Sequence, residues 1–173
     1  MSAHTGRLGV RQFEETRRSH HLIIWDTRRG QWSDRDSFEN AVSVAASLAV
    51  ADMAASRNVS LSTVTDWVTT TAATRMLDAL CAIQDAGEED LMARLREAIA
   101  KRPGLSVVTV VVAPTVDDNQ ASQLLNAIPI DVRSAVVRVR PGHPKMRRLS
   151  HGTLADCPTL DDLPRLVAAG GLS

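Results

Sequence analysis

Aromatic side chains are nearly absent from this chain of 173 residues: they make up 3% of it, and tyrosine is missing altogether. Few platforms remain on which unpaired bases stack, so single-stranded nucleic acid is not an expected ligand. An excess of charge of one sign is lacking too. Lys and Arg number 20, Asp and Glu number 20, and the formal net charge is +0, which removes any global pull toward nucleic acid or anionic lipid and leaves recognition to local surface. The two cysteines, Cys81 and Cys157, lie far apart without C-x-x-C spacing. Neither a zinc site nor a disulfide framework is indicated, and a reducing, intracellular setting is expected. Long apolar runs are also missing. The longest, Ala41 to Ala51, is interrupted by Ser43 and Ser47 and falls short of the roughly 20 residues needed to cross a bilayer. The start, Met1-Ser-Ala-His-Thr-Gly-Arg7, has no apolar signal core, so export of the chain as given is not expected. The patterns G-x-G-x-x-G, G-x-x-x-x-G-K-[ST], G-x-S-x-G and H-E-x-x-H do not occur, which removes the commonest nucleotide, hydrolase and metalloprotease signatures.

What is there is an alternation of strand and helix patterns over a length suited to one ordinary domain, 1-173. Leu8 to Phe13 alternates as an edge strand would. His21 to Thr27 (HLIIWDT) reads as a first core strand buried on both faces. Asp36-Ser37 offers cap oxygens for a helix that runs, apolar nearly all round, to about Ser56. Val59 to Val64 and Trp67 to Thr71 read as a hairpin across a turn near Asp66. Ala73 to Ile83 and Leu91 to Ile99 repeat at helical spacing on either side of Gly87. Glu88-Glu89-Asp90 suits the positive end of the second helix and needs no acid/base role. Val107 to Val112 belongs at the sheet centre. A helix with Leu124, Leu125 and Ile128 follows, then a strand from Ala135 to Val139 whose alternation with Arg138 and Arg140 predicts one wet face. Thr159-Leu-Asp-Asp162 resembles a capping box at the start of a short last helix. The order predicts an α/β, three-layer, Rossmann-like, mostly parallel sheet with helices on both faces and an antiparallel hairpin or edge strand. In such sheets ligands meet loops at the carboxyl ends of the strands, here Thr27 to Ser37, the segment after Thr69, and Ala113 to Asn119.

Several segments resemble a bacterial family, the domain-of-unknown-function family numbered fifty-eight: Thr5-Gly-Arg-Leu-Gly-Val-Arg-Gln-Phe-Glu-Glu15, the strand ending Asp26-Thr27, Phe38-Glu-Asn-Ala-Val-Ser-Val-Ala-Ala-Ser-Leu-Ala49, and Leu160-Asp-Asp-Leu163. The resemblance implies a von Willebrand factor A-like domain, the C-terminal part of a longer protein anchored by N-terminal membrane helices, lying at the inner face of the cell membrane and working beside a MoxR-type AAA+ ATPase. Domains of that type hold a divalent ion with an Asp-x-Ser-x-Ser turn, a Thr from a second loop and an Asp from a third, the oxygen set a hard cation needs. Asp26 matches the first position, whereas Arg28 and Gly30 stand where the two serines would be. Asp117 and Asp118 are candidates for the third loop, and Thr69, Thr70 or Thr71 for the second. Two oxygen ligands are thereby lost, and the Arg28 guanidinium can neutralise Asp26 in the ion's stead.

The expected function is that of a non-catalytic protein-interaction domain without bound metal or cofactor, whose partner meets Asp26, Arg28, Arg29 and Trp32 on a positively charged edge. For Asp26 two readings stay open: a strand-end carboxylate that caps amides or pairs with Arg28 or Arg29, or residual metal or partner chemistry. Trp25 belongs to the core, while Trp32 is either core or an exposed anchor. His20 and His21 point to opposite faces and cannot share a metal, which suits solvated or capping roles. Lys145, Arg147 and Arg148 with His143 and His151 read as a solvated basic loop or a contact for an acidic partner. A nucleotide-binding or enzymatic domain on the same sheet, and a structural, self-associating domain, are the alternatives.

Overall fold

The computed structural model describes residues 19–85 and 87–169; the expected edge strand at Leu8 to Phe13 lies outside them. Strands β1 (His20–Trp25), β2 (Asn58–Thr63), β3 (Trp67–Thr69), β4 (Leu105–Val112), β5 (Arg133–Arg138), β6 (Lys145–Leu149) and β7 (Gly152–Asp156) form one sheet in the order β3-β2-β1-β4-β5-β7-β6. The inner strands run parallel, and the edge strands β3 and β6 are antiparallel to their neighbours. Five helices cover the sheet: α1 (Arg35–Ala54), α2 (Ala73–Cys81), α3 (Leu91–Ala100), α4 (Asp118–Asn126) and α5 (Leu163–Ala168). The expected three-layer, Rossmann-like α/β architecture is what the chain adopts.

The layers follow from the period-two alternation of β1 and β4. Ile23, Trp25 and Val111 pack with Phe38, Val44 and Leu48 of α1, Met76 and Leu80 of α2, and Leu163 of α5. Leu22, Ile24, Val108 and Val110 face the other way, onto Leu91 and Leu95 of α3 and Leu124 and Leu125 of α4. Both faces are thus dry, which is why these strands read as unbroken apolar runs. Each fully buried Leu, Ile or Val side chain contributes about 1.5–3 kcal/mol, so the fold is held mainly from the middle of the sheet outward.

The α1 cap is Asp34, not Asp36 or Ser37: its carboxylate accepts the Ser37 amide at 2.7 Å. Four hydroxyl and amide donors, led by the Ser37 hydroxyl, hold the Asp34 carboxyl down at about 2. The capping box at Thr159 does not form; the Thr159 hydroxyl donates to Asp162 at 2.9 Å, and a single 3-10 turn, Leu160–Asp162, leads into α5. A true capping box forms instead at Asp117 and Gln120, which opens α4. The expected wet face of β5 does not exist, because Val136, Val137 and Arg138 are all buried. The expected solvated basic loop is the hairpin β6–β7, whose inner strand pairs with β5 and so covers it. That junction is tight: a Cβ on Gly152, whose φ is +149°, would sit 2.5 Å from the Ser134 carbonyl oxygen. Among the described residues no helix is long and apolar enough to cross a membrane.

Candidate functional site

The chain leaving β1 enters α1 on one face of the sheet, and the chain leaving β4 enters α4 on the other. The carboxyl ends of these adjacent strands therefore diverge and open the crevice in which doubly wound sheets receive ligands. Asp26 stands at its floor. Its backbone amide continues the β1–β4 ladder to the Val111 carbonyl at 2.9 Å, and its carbonyl accepts the Trp32 indole N–H at 2.9 Å.

The turn that follows is braced on both sides. Gly30, with φ +76°, supplies the left-handed residue that lets the chain reverse. The Arg29 amide donates to the Gly87 carbonyl at 3.2 Å, and the Thr115 hydroxyl donates to the Gln31 side chain at 2.9 Å. The loops after β1, after α2 and after β4 are thereby joined into one rim.

Within that rim the Asp26 carboxylate is fully buried and wholly engaged by Arg28. Arg28 Nε donates to Oδ1 at 2.9 Å, Nη2 donates to Oδ2 at 2.8 Å, and the Arg28 amide donates to Oδ1 at 3.2 Å. Such a two-pronged match of guanidinium to carboxylate is the strong form of a charged hydrogen bond. The bonds to Asp26 outweigh partial burial and raise the Arg28 pKa. Of the two readings of Asp26, pairing with Arg28 is the arrangement adopted.

The other expected ligands are committed elsewhere. The Asp117 carboxylate caps α4 through the Gln120 amide at 2.8 Å. Asp118 accepts both prongs of Arg147, at 2.5 and 2.8 Å, and these bonds hold its carboxyl far below the usual carboxylate range. Thr69, Thr70 and Thr71 are at the wrong end: Thr69 pairs with Ser60, so the antiparallel β3 carries the segment after it back to the amino edge of the sheet. The hairpin was legible, and its reversal of direction was the signal that excluded these threonines. A divalent ion does not fit this donor set. Arg28 holds both Asp26 oxygens, Gly30 has no side chain, and only the buried, unpartnered Thr27 hydroxyl is left over. Among the described residues no group of three or more His, Cys, Asp and Glu could hold a metal.

Of the two readings of Trp32, core or exposed anchor, the buried one is adopted, which corrects its place among the partner-contacting residues. It is 9% exposed, its ring meets Phe38 edge-on at 5.8 Å, and Trp25 packs on the same Phe38 at 4.9 Å. Arg28 spends its charge on Asp26, while the exposed Arg29 meets the loop that precedes α3 through its backbone amide.

A second group at the same edge escaped sequence reasoning. Buried Arg138 donates to Asp156 at 2.7 Å and to the Val116 carbonyl at 2.8 Å, and Arg140 reaches the other Asp156 oxygen at 2.8 Å. Arg138 Nη2 also lies 3.1 Å from Asp118, which ties β5, β7, α4 and β6 together. Asp156 is 18 residues from Arg138 in sequence, so nothing in the local pattern announces the pair.

At the opposite, amino edge His20 and His21 do point apart. His20 bonds the Ser60 hydroxyl at 3.0 Å. His21 is buried rather than solvated: Nε2 meets the Thr109 hydroxyl at 2.9 Å, Nδ1 meets Asp52, and Asp52 also accepts Arg57 at 2.8 Å. Burial drives the Asp52 carboxyl upward, but the His21 and Arg57 contacts together outweigh it and leave the carboxyl below its ordinary value. Hydroxyl, imidazole and carboxylate stand in the order of a hydrolase relay. The Thr109 side chain, however, is sealed at 0% exposure, so this relay meets no substrate and serves as a satisfied polar network.

Neither a protein-family model nor a curated protein matches the chain.

Proposed function

We propose that this chain is a non-catalytic protein-interaction domain of von Willebrand A-like type, in which the Arg28 guanidinium has taken the place of a divalent ion over Asp26. The observation that carries the reading is the two-pronged Arg28–Asp26 pair at the floor of the crevice between β1 and β4. A buried carboxylate there demands a positive partner, and an arginine supplied in cis makes the rim permanent instead of ion-dependent. The partner contacts are then made by the exposed residues around the pair, Arg29 and Thr115 foremost, while Trp32 supports the turn from beneath. The partner class, a MoxR-type AAA+ ATPase at the inner face of the cell membrane, comes from the sequence resemblance alone.

Two measurements test this. Calorimetric titration with magnesium is expected to give no heat of binding, and micromolar binding that disappears in Asp26→Ala would overturn the reading. Co-purification with a co-encoded MoxR-type ATPase is expected to fall about tenfold for Arg29→Glu, the scale of one lost charged contact at an interface. Unchanged capture by that variant removes the proposed docking rim.

A further inference from the structure

The amino edge of the sheet carries a feature that the interaction reading does not use. A cleft of about 620 Å³ runs beneath β1, β2 and β3, and among its lining residues are Arg57, Arg75, Arg102, His20, Thr69 and Thr71. Guanidinium groups arrive from three separate elements: the turn after α1, the first turn of α2, and the end of α3. Among the described residues no carboxylate lines the cleft. We propose that it is a binding site for a phosphate-type oxyanion, either free phosphate or the terminal phosphate of a small metabolite.

Two of the three guanidiniums are already oriented. Arg102 lies 5.3 Å from the Trp67 ring centroid and donates to the Thr69 hydroxyl at 3.0 Å. Arg57 is steadied by Asp52, which sits behind it and is shared with His21. Fixing these long side chains in advance lowers the ordering cost that an anion must otherwise meet. Arg75 is exposed and makes no ion pair or hydrogen bond among the described residues, so it is free to close on a ligand. The planar fork of each guanidinium matches two phosphate oxygens at once, and the threonine hydroxyls add neutral donors.

The cleft is electropositive before anything binds. Burial foremost, and then the Arg102 charge and His21, lower the His20 pKa. The carboxylate behind Arg57, Asp52, is 10% exposed and is already divided between Arg57 and His21. Arg75 and Arg102 form no ion pair among the described residues. An oxyanion supplies the matching negative charge.

The test uses the full chain, followed by two-dimensional amide and histidine-ring NMR at constant ionic strength. Inorganic phosphate and glycerol phosphate are titrated in separate arms, with chloride as the control. Saturable shifts at His20, Thr69 to Thr71 and Arg75, with the His20 titration moved upward by the ligand, are the expected result. Saturation by either ligand supports the site, and the tighter of the two tells whether the free anion or an ester is the better occupant. Arg75→Ala, a surface change that leaves the fold intact, weakens the affinity about tenfold, the scale of one charged hydrogen bond. Arg102→Gln weakens it at least as much. Shifts that never saturate, shifts reproduced by chloride, or an affinity unaltered in Arg75→Ala overturn the proposal.

Discussion

At the carboxyl edge of the parallel strands four arginines meet three carboxylates, Arg28 with Asp26, Arg138 and Arg140 with Asp156, and Arg147 with Asp118, whereas at the amino edge Arg57, Arg75 and Arg102 share a cleft that, among the described residues, no carboxylate lines. The carboxyl edge is where a sheet of this kind ordinarily binds its ligand, yet there these four arginines are already engaged by carboxylates. Cations left in excess at the other edge are the ones still able to recruit an anion. A net charge of +0 conceals this division, because neutrality of the whole says nothing about which charges face each other.

The sharpest way to break the comparison is to remove a cation from the matched edge. Arg138→Ala leaves Asp156, 3% exposed, with Arg140 alone; the expected cost is about 3–5 kcal/mol, the range for stranding a buried charge. Urea denaturation measures it, and a loss below about 1 kcal/mol would mean that the pair is not structural.

Arg28→Ser comes next. The Arg28 side chain is 25% exposed and the Asp26 side chain 0%, so the expected cost is about 3 kcal/mol, the lower end of the same range. Because the variant frees both Asp26 oxygens, magnesium is expected to raise the melting temperature of Arg28→Ser and not that of the parent. An equal rise in both proteins refutes the idea that the guanidinium stands in for the ion.

Asp52→Asn probes the boundary between the edges, since Asp52 holds His21 within the core and Arg57 at the cleft. The loss at neutral pH is expected to be about 1 kcal/mol, one net hydrogen bond. Its pH signature is more specific. The folded-state carboxyl lies below its ordinary value, so its contribution is full above the unfolded carboxylate range and is lost as pH falls through the lower, folded value. The parent therefore loses more stability on acidification than Asp52→Asn does, and parallel acid limbs for the two proteins would contradict this.

Arg75→Ala sits at the far end of the scale. With no partner among the described residues to strand, it is expected to keep the melting temperature within about 2 °C while it loses affinity for phosphate. A variant that unfolds instead would make Arg75 a structural cation like those of the other edge.

The same contrast marks how far the chain could be read unfolded. The strand–helix order was legible because a buried parallel strand and an amphipathic helix each leave a periodic trace in their own few residues. The hairpin β6–β7 was not, since Lys-Met-Arg-Arg-Leu at an edge strand shows charge where the period should be. Asp26 and Arg28 could be paired on paper because only Thr27 stands between them. Trp32, by contrast, looks the same in a loop sequence whether its ring is buried or bare, and Phe38 decides the matter by packing beneath it.

What the sequence determined by itself is the layered α/β plan, the dry centre of the sheet, and the placing of Arg28 and Gly30 in the turn beside Asp26, all of which depend on neighbours within a turn or a strand. Tertiary structure alone decided which arginines are spent. Arg138 finds Asp156 and Arg147 finds Asp118 across 18 and 29 residues, while Arg57, Arg75 and Arg102 are brought to one cleft from three elements. Electrostatic energy depends on distance in space, and only the folded chain sets that distance.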